Sequence, residues 1–359
     1  MTAVVAQSGD PGWRALARDA CRTHAALGAL VLAYLLIACL VAAAFGQLGR
    51  ISPFLYNSRF NILVLLYALA FLFVQAIRIM VVQRPARPIE AIAAAFRVRY
   101  LTRRRLFNAI PVIILLSVFT SVFTSLKAMI PLMHPYSWDT TLMHWDMLLH
   151  FGVPPWVWLQ PMLGTPWVTG AMSVVYGSWI FVVSGCCFWQ TFTERDPPLR
   201  MQFLFTYVLC FAVLGNLAAT WLASGGPCFY GRLVAGPDPY APLLAYLDHA
   251  YQRVPLDWST GAQTMLWRSY TTGILELGSG ISAMPSLHVA GATMCALLGW
   301  RSSSLLGGLL TLYTVLIMIG SVHLGWHYAV DGYVAVSGSV VIWFGVGGVL
   351  RWSMIHHSG

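Results

Sequence analysis

"SLLGGLLTLYTVLIMIGSVHLGWHYAVDGYVAVSGSVVIWFGVGGVL", residues 304–350, consists of two apolar runs joined by a short segment with ionisable side chains. A helix needs roughly 20 apolar residues to cross the hydrocarbon core of a bilayer, and each run approaches that length. His323, His327 and Asp331 follow one another at intervals of four residues around the junction. Ionisable groups this close to a bilayer are energetically costly and are functional by default. The stretch therefore predicts two membrane-spanning helices with a candidate reactive site between them.

The composition of the whole chain also indicates a membrane protein. Of its 359 residues, 58% are hydrophobic and 9% are charged, whereas an ordinary soluble domain has roughly 25% charged residues. A soluble fold could not bury this much apolar surface. The formal net charge is +9, and Lys127 is the only lysine. Because the arginines lie between apolar runs, we expect them to face an anionic membrane surface and not nucleic acid.

The apolar runs predict an all-α integral membrane protein with about eight transmembrane helices. The runs are 25–46, 60–82, 107–130, 167–190, 200–223, 283–300, 304–322 and 328–350. Arginines precede the first run, occupy alternate links and follow the last run, whereas 131–166 has no lysine or arginine. By the positive-inside rule, both termini are then cytoplasmic, and the junction at 321–328 is extracytoplasmic. We expect a bacterial inner membrane as the location.

The arginine-rich link 83–106 is cytoplasmic in this topology. Its sequence "IEAIAAAFRVRYLTRRRLF" (89–107) is typical of a basic amphipathic segment that lies on anionic headgroups, although a simple topology anchor needs the same charges. The link also suggests a division of the chain. Residues 1–106 would form N-terminal membrane helices and the basic segment, and residues 107–359 a membrane catalytic domain.

Three residues have the properties needed for two-step phosphoryl transfer. His327 and Asp331 are four residues apart, so on a helix they share one face. The carboxylate can accept a proton from one imidazole nitrogen and leave the other free as a nucleophile. His288 begins the sixth run and reaches the same membrane face, where it could protonate a leaving group. Ser286 and the backbone N–H groups at that helix start could hold the phosphate.

A metal site is the alternative interpretation of these residues. His323, His327 and Asp331 have ligand-like spacing, and His288 could complete the set. The remaining histidines are scattered along the chain. We therefore expect neither a metal nor another cofactor.

Two segments together resemble the type 2 phosphatidic acid phosphatase superfamily: "PSLH" (285–288) and "HYAVD" (327–331). That superfamily carries Pro-Ser-Gly-His and a His-xxx-Asp at a helix start. The closer resemblance is to its inositol phosphorylceramide synthase-like branch, which typically reads Met-Pro-Ser-Leu-His and His-Tyr-xx-Asp, with text like "GPCFYGR" (226–232) upstream. The resemblance covers about 138–345 and implies a six-helix phosphatidic acid phosphatase-like core with additional N-terminal helices.

The resemblance also implies roles for individual residues. His327 is similar to the nucleophile that becomes phosphohistidine, and Asp331 to its orienting carboxylate. His288 is similar to the general acid for the leaving alcohol, and Ser286 would contact phosphate.

The sequence departs from the phosphatases at the cations that hold phosphate. Phosphatases of the superfamily carry an arginine six residues before the second histidine, where this chain has Ser321. Their first motif, a lysine followed by Arg-Pro, has no clean copy. Arg232, Arg268 and His323 are the candidate replacements. Because a phosphodiester has less negative charge than a phosphomonoester, the losses favour a transferase that handles a phosphodiester.

"HPYSWDTTLMHWDMLLHFG" (134–152) also resembles that branch. Asp139 and Asp146 on this segment, together with Tyr230, could bind a polar headgroup. A surface helix with solvated carboxylates is the alternative.

We therefore expect a membrane lipid phosphotransferase that moves a phosphate headgroup, such as inositol phosphate, between lipids through a phosphohistidine. Its partners would be a membrane lipid donor and a lipid alcohol or water acceptor. The alternative enzyme is a lipid phosphate or polyprenyl diphosphate phosphatase, which differs in its acceptor. The alternative outside the enzymes is a non-catalytic lipid transporter or scaffold. This alternative gives no function to His288, His327 and Asp331.

Overall fold

The structure is a computed structural model that describes residues 12–276 and 278–357. It is 79% helical, and the described residues form no β-strand. Inside a bilayer every backbone N–H and C=O must be paired within the protein, and a helix satisfies this requirement on its own. The predicted all-α membrane fold is confirmed.

The helices follow one another along the whole described chain. In order they are α1 (Trp13–Ala44), α2 (Asn57–Arg78), α3 (Pro88–Ala95), α4 (Arg103–Lys127), α5 (Ile130–Met133), α6 (Asp139–Leu149), α7 (Pro155–Leu163), α8 (Pro166–Gly177), α9 (Trp179–Phe192), α10 (Pro197–Leu209), α11 (Ala219–Trp221), α12 (Tyr230–Leu233), α13 (Ala241–Arg253), α14 (Ser259–Thr272), α15 (Leu287–Ser302), α16 (Ser304–His323) and α17 (Ala329–His357). Three π-helical segments extend α2, α3 and α10: Ile79–Gln83, Phe96–Tyr100 and Cys210–Ala218. Two short 3₁₀ segments are Leu48–Arg50 and Pro227–Phe229.

Seven helical segments in the described chain are long and apolar enough to cross a membrane, where the sequence predicted about eight. The difference lies in the sixth run, whose helix α15 has 16 residues and begins only at Leu287. Pro285 has no N–H and disfavours helical backbone at the residue before it, so the chain up to Ser286 is not helical. The Ser286 hydroxyl then caps α15 by accepting the Val289 N–H at 3.4 Å.

α15 lies at the centre of the bundle because its small residues allow close helix approach. A Cβ added at Gly291 would lie 2.9 Å from Trp179 Nε1 on α9. A Cβ at Gly299 would lie 3.0 Å from the Leu306 carbonyl oxygen on α16. This packing holds the start of α15, and with it His288, in a fixed position.

α1 belongs to the same core as the later helices. Leu27 and Val31 pack in one buried cluster with Val112 and Phe119 of α4. The buried Arg200 of α10 donates hydrogen bonds to the carbonyls of Gln190, Thr191 and Asn108, and its guanidinium lies 2.7 Å from His24 of α1. The division of the chain at residue 106 stays a prediction.

α2 lies at the periphery of the bundle. Only 6% of the residues in its most apolar stretch are buried, and Leu65 and Leu66 are more than half exposed. A mostly apolar, exposed helix is the pattern of a span that faces lipid. The other side of α2 faces α4 and α9.

The basic segment after α2 is mostly exposed. Ile89 is 84% exposed and Val98 is 75% exposed. Exposed apolar side chains beside arginines are what an interfacial segment presents to headgroups. Contact of this segment with an anionic membrane surface stays a prediction.

Short helices cover one end of the long bundle. The links 130–165 and 223–283 meet there, because Ser137 N–H donates to the Ala223 carbonyl and Cys228 N–H donates to the Gly325 carbonyl. The end of α4, the start of α15 and the junction of α16 with α17 lie beneath these links. The predicted reactive residues are thus recessed under a cap of protein.

Candidate active site

His327 and Asp331 lie side by side between α16 and α17. His327 Nδ1 is 3.3 Å from Asp331 Oδ2, which also accepts the Tyr328 N–H at 3.0 Å. α17 begins only at Ala329, so the pair meets across a helix start and not on one helix face as predicted. Gly325, at φ +72°, makes the turn that allows this, since left-handed backbone favours glycine. Asp331 therefore holds the His327 ring by its Nδ1 atom.

His327 is neutral in this environment. Burial lowers its pKa to about 3, the charge of Lys127 acts in the same direction, and the Ala283 carbonyl opposes the shift. Because Asp331 accepts from Nδ1, the unshared electron pair lies on Nε2. A neutral imidazole with a free Nε2 is the form that can attack phosphorus.

His288 faces His327 from the first turn of α15. The two ring centroids are 6.0 Å apart, and the rings are inclined by 62°. Tyr176 stacks on His288 at 4.4 Å and 18°, and Trp179 lies against it at 4.5 Å. The imidazole is therefore held between two aromatic rings from α8 and α9. The sequence interpretation missed this bracket, since no motif links the two helices.

The Trp179→Leu variant should turn over about tenfold more slowly, because aromatic faces stabilise a nearby cation and fix the ring that must carry a proton. The loss should appear in kcat and leave KM nearly unchanged. Trp189→Leu, on the exposed side of the same helix, is the matched control and should stay within about twofold of the parent. Equal losses of kcat in both variants would contradict a specific role of Trp179 beside His288.

Lys127 is the charged side chain that the sequence interpretation overlooked. It ends α4, and it lines the same cavity as His288 and His327. Its Nζ lies 6.0 Å from the centroid of the Phe123 ring. A signal existed in the sequence, because the one lysine of an arginine-rich chain stands at the end of an apolar run. Lys127 thus brings a lysine side chain into the cavity that His288 and His327 also line.

The other predicted phosphate contacts lie outside this cavity. His323 is fully buried, and its Nε2 is 3.0 Å from Thr169 Oγ1. Arg232 stacks over the Trp267 ring at 4.9 Å, and Arg268 is exposed and paired with Glu276. These three residues are therefore not brought to the histidines, because their side chains point to other partners.

Ser286 is close to the site but has another use. Its hydroxyl caps α15, and its backbone N–H donates to the Asp331 carbonyl at 3.2 Å. It is fully buried and does not line the cavity. Ser286 thus joins the start of α15 to the start of α17, which fixes His288 relative to His327.

Asp139 and Asp146 are buried hydrogen-bond acceptors on α6, in the links that cover the site. Asp139 accepts the N–H groups of Gly225 and Gly226 and the Tyr328 hydroxyl, at 2.8–2.9 Å. Burial raises the pKa of Asp139, and these hydrogen bonds oppose the shift. The geometry supports a role in positioning the loops rather than direct contact with a headgroup. Tyr230 is likewise buried, against Tyr240.

Asp146 caps the helix that carries Asp331. Its two carboxylate oxygens accept the N–H groups of Ala329 and Val330, each at 2.8 Å. Burial raises its pKa to about 6, opposed by those two hydrogen bonds, so Asp146 is mostly ionised at neutral pH. A negative charge at a helix N-terminus is favourable.

The free energy of unfolding of the Asp146→Asn variant should be about 1–3 kcal/mol lower than that of the parent at neutral pH. The NH₂ group of the new amide cannot accept the second backbone N–H. Thermal unfolding in detergent measures the change. The control is Asp248→Asn on the exposed face of α13, which should shift stability by less than about 0.5 kcal/mol. An Asp146→Asn protein as stable as its parent would show that the cap is unimportant.

The residues that meet here border a cavity of about 260 Å³. Lys127, His288 and His327 form one end, and apolar side chains from α2, α4 and α9 form most of the remainder. No group of three or more His, Cys, Asp or Glu side chains in the described residues is arranged to hold a metal ion. The polar end can take an anion between two histidines and a lysine.

The sequence matches the family described as the PAP2 superfamily over residues 140–347, more than half of the chain. The match contains His288, His327 and Asp331 and excludes α1, α2, α3 and Lys127. No curated protein and no solved structure matches the chain significantly.

Proposed function

The chain belongs to the PAP2 superfamily, and on that basis we propose that it is a lipid phosphotransferase in which His327 forms a phosphohistidine. Membership of this superfamily suggests a lipid phosphatase or phosphotransferase activity. The observation that supports the proposal most is the pair of histidine rings 6.0 Å apart at one end of a cavity, with Asp331 on one of them.

In the first step, His327 Nε2 attacks the phosphorus of the lipid. A P–N bond forms and the P–O bond to the leaving group breaks. The negative charge of the bound phosphate favours the protonated form of His288, which gives its proton to the departing oxygen, so an alcohol leaves. Asp331 stabilises the charge that develops on the His327 ring while it holds Nδ1.

In the second step, an acceptor hydroxyl takes the phosphoryl group. His288, now neutral, removes the acceptor proton as the new P–O bond forms and the P–N bond breaks. His327 returns to its neutral form and His288 is protonated again, so the cycle closes. No metal takes part in this proposal.

Lys127 supports a phosphodiester donor. It is the only Lys or Arg side chain that lines the cavity among the described residues. One cation balances the single negative charge of a diester better than the nearly double charge of a monoester. For this reason we propose transfer to an alcohol, as in the inositol phosphorylceramide synthase-like branch, over hydrolysis of a lipid phosphate.

The experiment is a donor and acceptor panel with the purified protein in detergent and chelator. Headgroup-labelled phospholipids and lipid phosphates are incubated with and without a lipid alcohol. Label that moves to the lipid alcohol supports the transferase. Release of inorganic phosphate alone would replace it by the phosphatase, and activity that disappears with chelator would contradict the metal-free mechanism.

The remaining proposals concern location. We propose that the site faces the extracytoplasmic side of a bacterial inner membrane, because the arginine-rich links lie at the other end of the spans. The basic segment 83–106 would then lie on the anionic cytoplasmic surface.

A further inference from the structure

The cavity continues far beyond the reactive histidines. On α4 its lining extends from Lys127 back to Ile113, and on α9 from Trp179 on to Phe192. At about 1.5 Å per helical residue these two walls span about 21 Å and about 20 Å. The cavity length measured along α4 thus agrees with the length measured along α9. This length exceeds the depth of one leaflet, which is half of the roughly 30 Å hydrocarbon core.

The third wall is α2, which lies outside the region matched by the family. Phe60, Leu63, Val64 and Tyr67 of α2 line the cavity, together with Tyr56 just before the helix. The Tyr67 hydroxyl joins α2 to α9, since it donates to the Phe181 carbonyl at 2.6 Å and lies 3.0 Å from Ser184 Oγ. The distal cavity is therefore enclosed by a helix that the family match does not include.

The hydroxyl groups along this distal part are occupied. Thr191 donates to the Cys187 carbonyl at 2.7 Å, and the Thr120 and Tyr207 hydroxyls lie 3.4 Å apart. The wall that remains is apolar, and apolar cavities stay dry and take apolar ligands. An occupant of this part is a hydrocarbon.

We propose that the distal cavity between α2, α4 and α9 binds one long hydrocarbon chain of the lipid whose phosphate lies at His327. The proposal rests on the proposed function and adds a tail site to it. The cavity volume of 260 Å³ is below the roughly 300–1,000 Å³ of common ligand pockets, so it fits one chain and not two side by side. A second chain, where the lipid has one, stays in the bilayer.

A photoreactive tail probe tests the site without turnover. The probe is hexadecyl phosphonate with a diazirine at the far end of the chain, applied to the full-length protein in detergent. We expect adducts near the distal end, around Ile113 and Phe192. The alcohol with the same chain and no phosphonate should label those positions at least about tenfold less, because it lacks the anion that Lys127 attracts.

Two variants of α2 that carry the same substitution make the comparison specific. Leu63→Trp fills the cavity and should reduce distal labelling by about tenfold or more. Leu66→Trp, at a position that is 56% exposed, should label within about twofold of the parent. If Leu63→Trp fails to fold, Ile113→Phe fills part of the same cavity from α4.

Each outcome decides something. Distal labelling that depends on the phosphonate and on Leu63 supports the tail site, even in a preparation without activity, which would contradict only the proposed function. Labelling confined to outward-facing side chains, equal labelling of the two tryptophan variants, or equal labelling by the alcohol overturns the tail site. An active protein with no distal labelling also overturns it and leaves the proposed function intact.

Discussion

Replacement of His327 by alanine is expected to reduce phosphoryl transfer by at least about 10⁴-fold, because His327 is the imidazole that Asp331 holds for attack. His288 cannot substitute, since its ring is held between Tyr176 and Trp179 and, among the residues that the structure describes, has no carboxylate partner like Asp331. The donor and acceptor panel with a labelled headgroup measures the rate.

The matched control is His323→Ala, four residues earlier. His323 has the same side chain and is also buried, but it contacts Thr169 and does not line the cavity. We expect this variant to lose less than about tenfold once its folded fraction is measured. Comparable losses in the two variants would contradict the assignment of His327 as nucleophile.

Lys127→Met is expected to reduce kcat by about 10²–10³-fold. Removal of one preorganised group that stabilises transition-state charge has an effect of this size in other enzymes. Lys127 is the only Lys or Arg side chain that lines the cavity within the described chain, so no second lysine or arginine replaces it. Arginine should restore the rate only in part, because the planar guanidinium is not equivalent to a compact ammonium.

The controls for Lys127 are the two arginines that the sequence also suggested. Arg268→Met removes an exposed charge paired with Glu276, and Arg232→Met removes one that stacks on Trp267. Both should keep the rate within about threefold. A loss of 10²-fold or more in either variant would mean that the phosphate is held elsewhere than between Lys127 and the histidines.

The sequence predicted the parts of this account that depend on composition and on chain order. Long apolar runs can only be helices in a bilayer, which made the all-α membrane fold predictable. The order of α15, α16 and α17 brings the starts of the first and third of these helices to one membrane face. His288, His327 and Asp331 therefore meet as expected from their positions in the chain.

The side-chain directions could not be predicted in the same way. Each residue turns the helix by about 100°, so a break one residue from its expected place redirects every later side chain. α17 begins at Ala329, after His327, and His323 ends α16 facing Thr169. His323, His327 and Asp331 are evenly spaced in the sequence, but their side chains do not lie along one helix face.

The roles of the buried carboxylates were also beyond the sequence. Asp139 and Asp146 lie on a helix that is distant in sequence from the backbone N–H groups whose hydrogen bonds they accept. Only the folded loops bring Gly225 and Ala329 to them. A buried carboxylate needs hydrogen-bond donors, and here backbone N–H groups supply them.

The most direct test of the central claim is to trap the phosphate on His327. The protein is mixed with a donor lipid labelled in its phosphate, without a lipid alcohol, and is quenched in alkaline detergent, in which a phosphoramidate survives. Peptide mapping should find label on the peptide that contains His327, and the label should disappear when a lipid alcohol is added before the quench. Turnover of the donor with no covalent label at any time, or label on His288 instead, would contradict the mechanism.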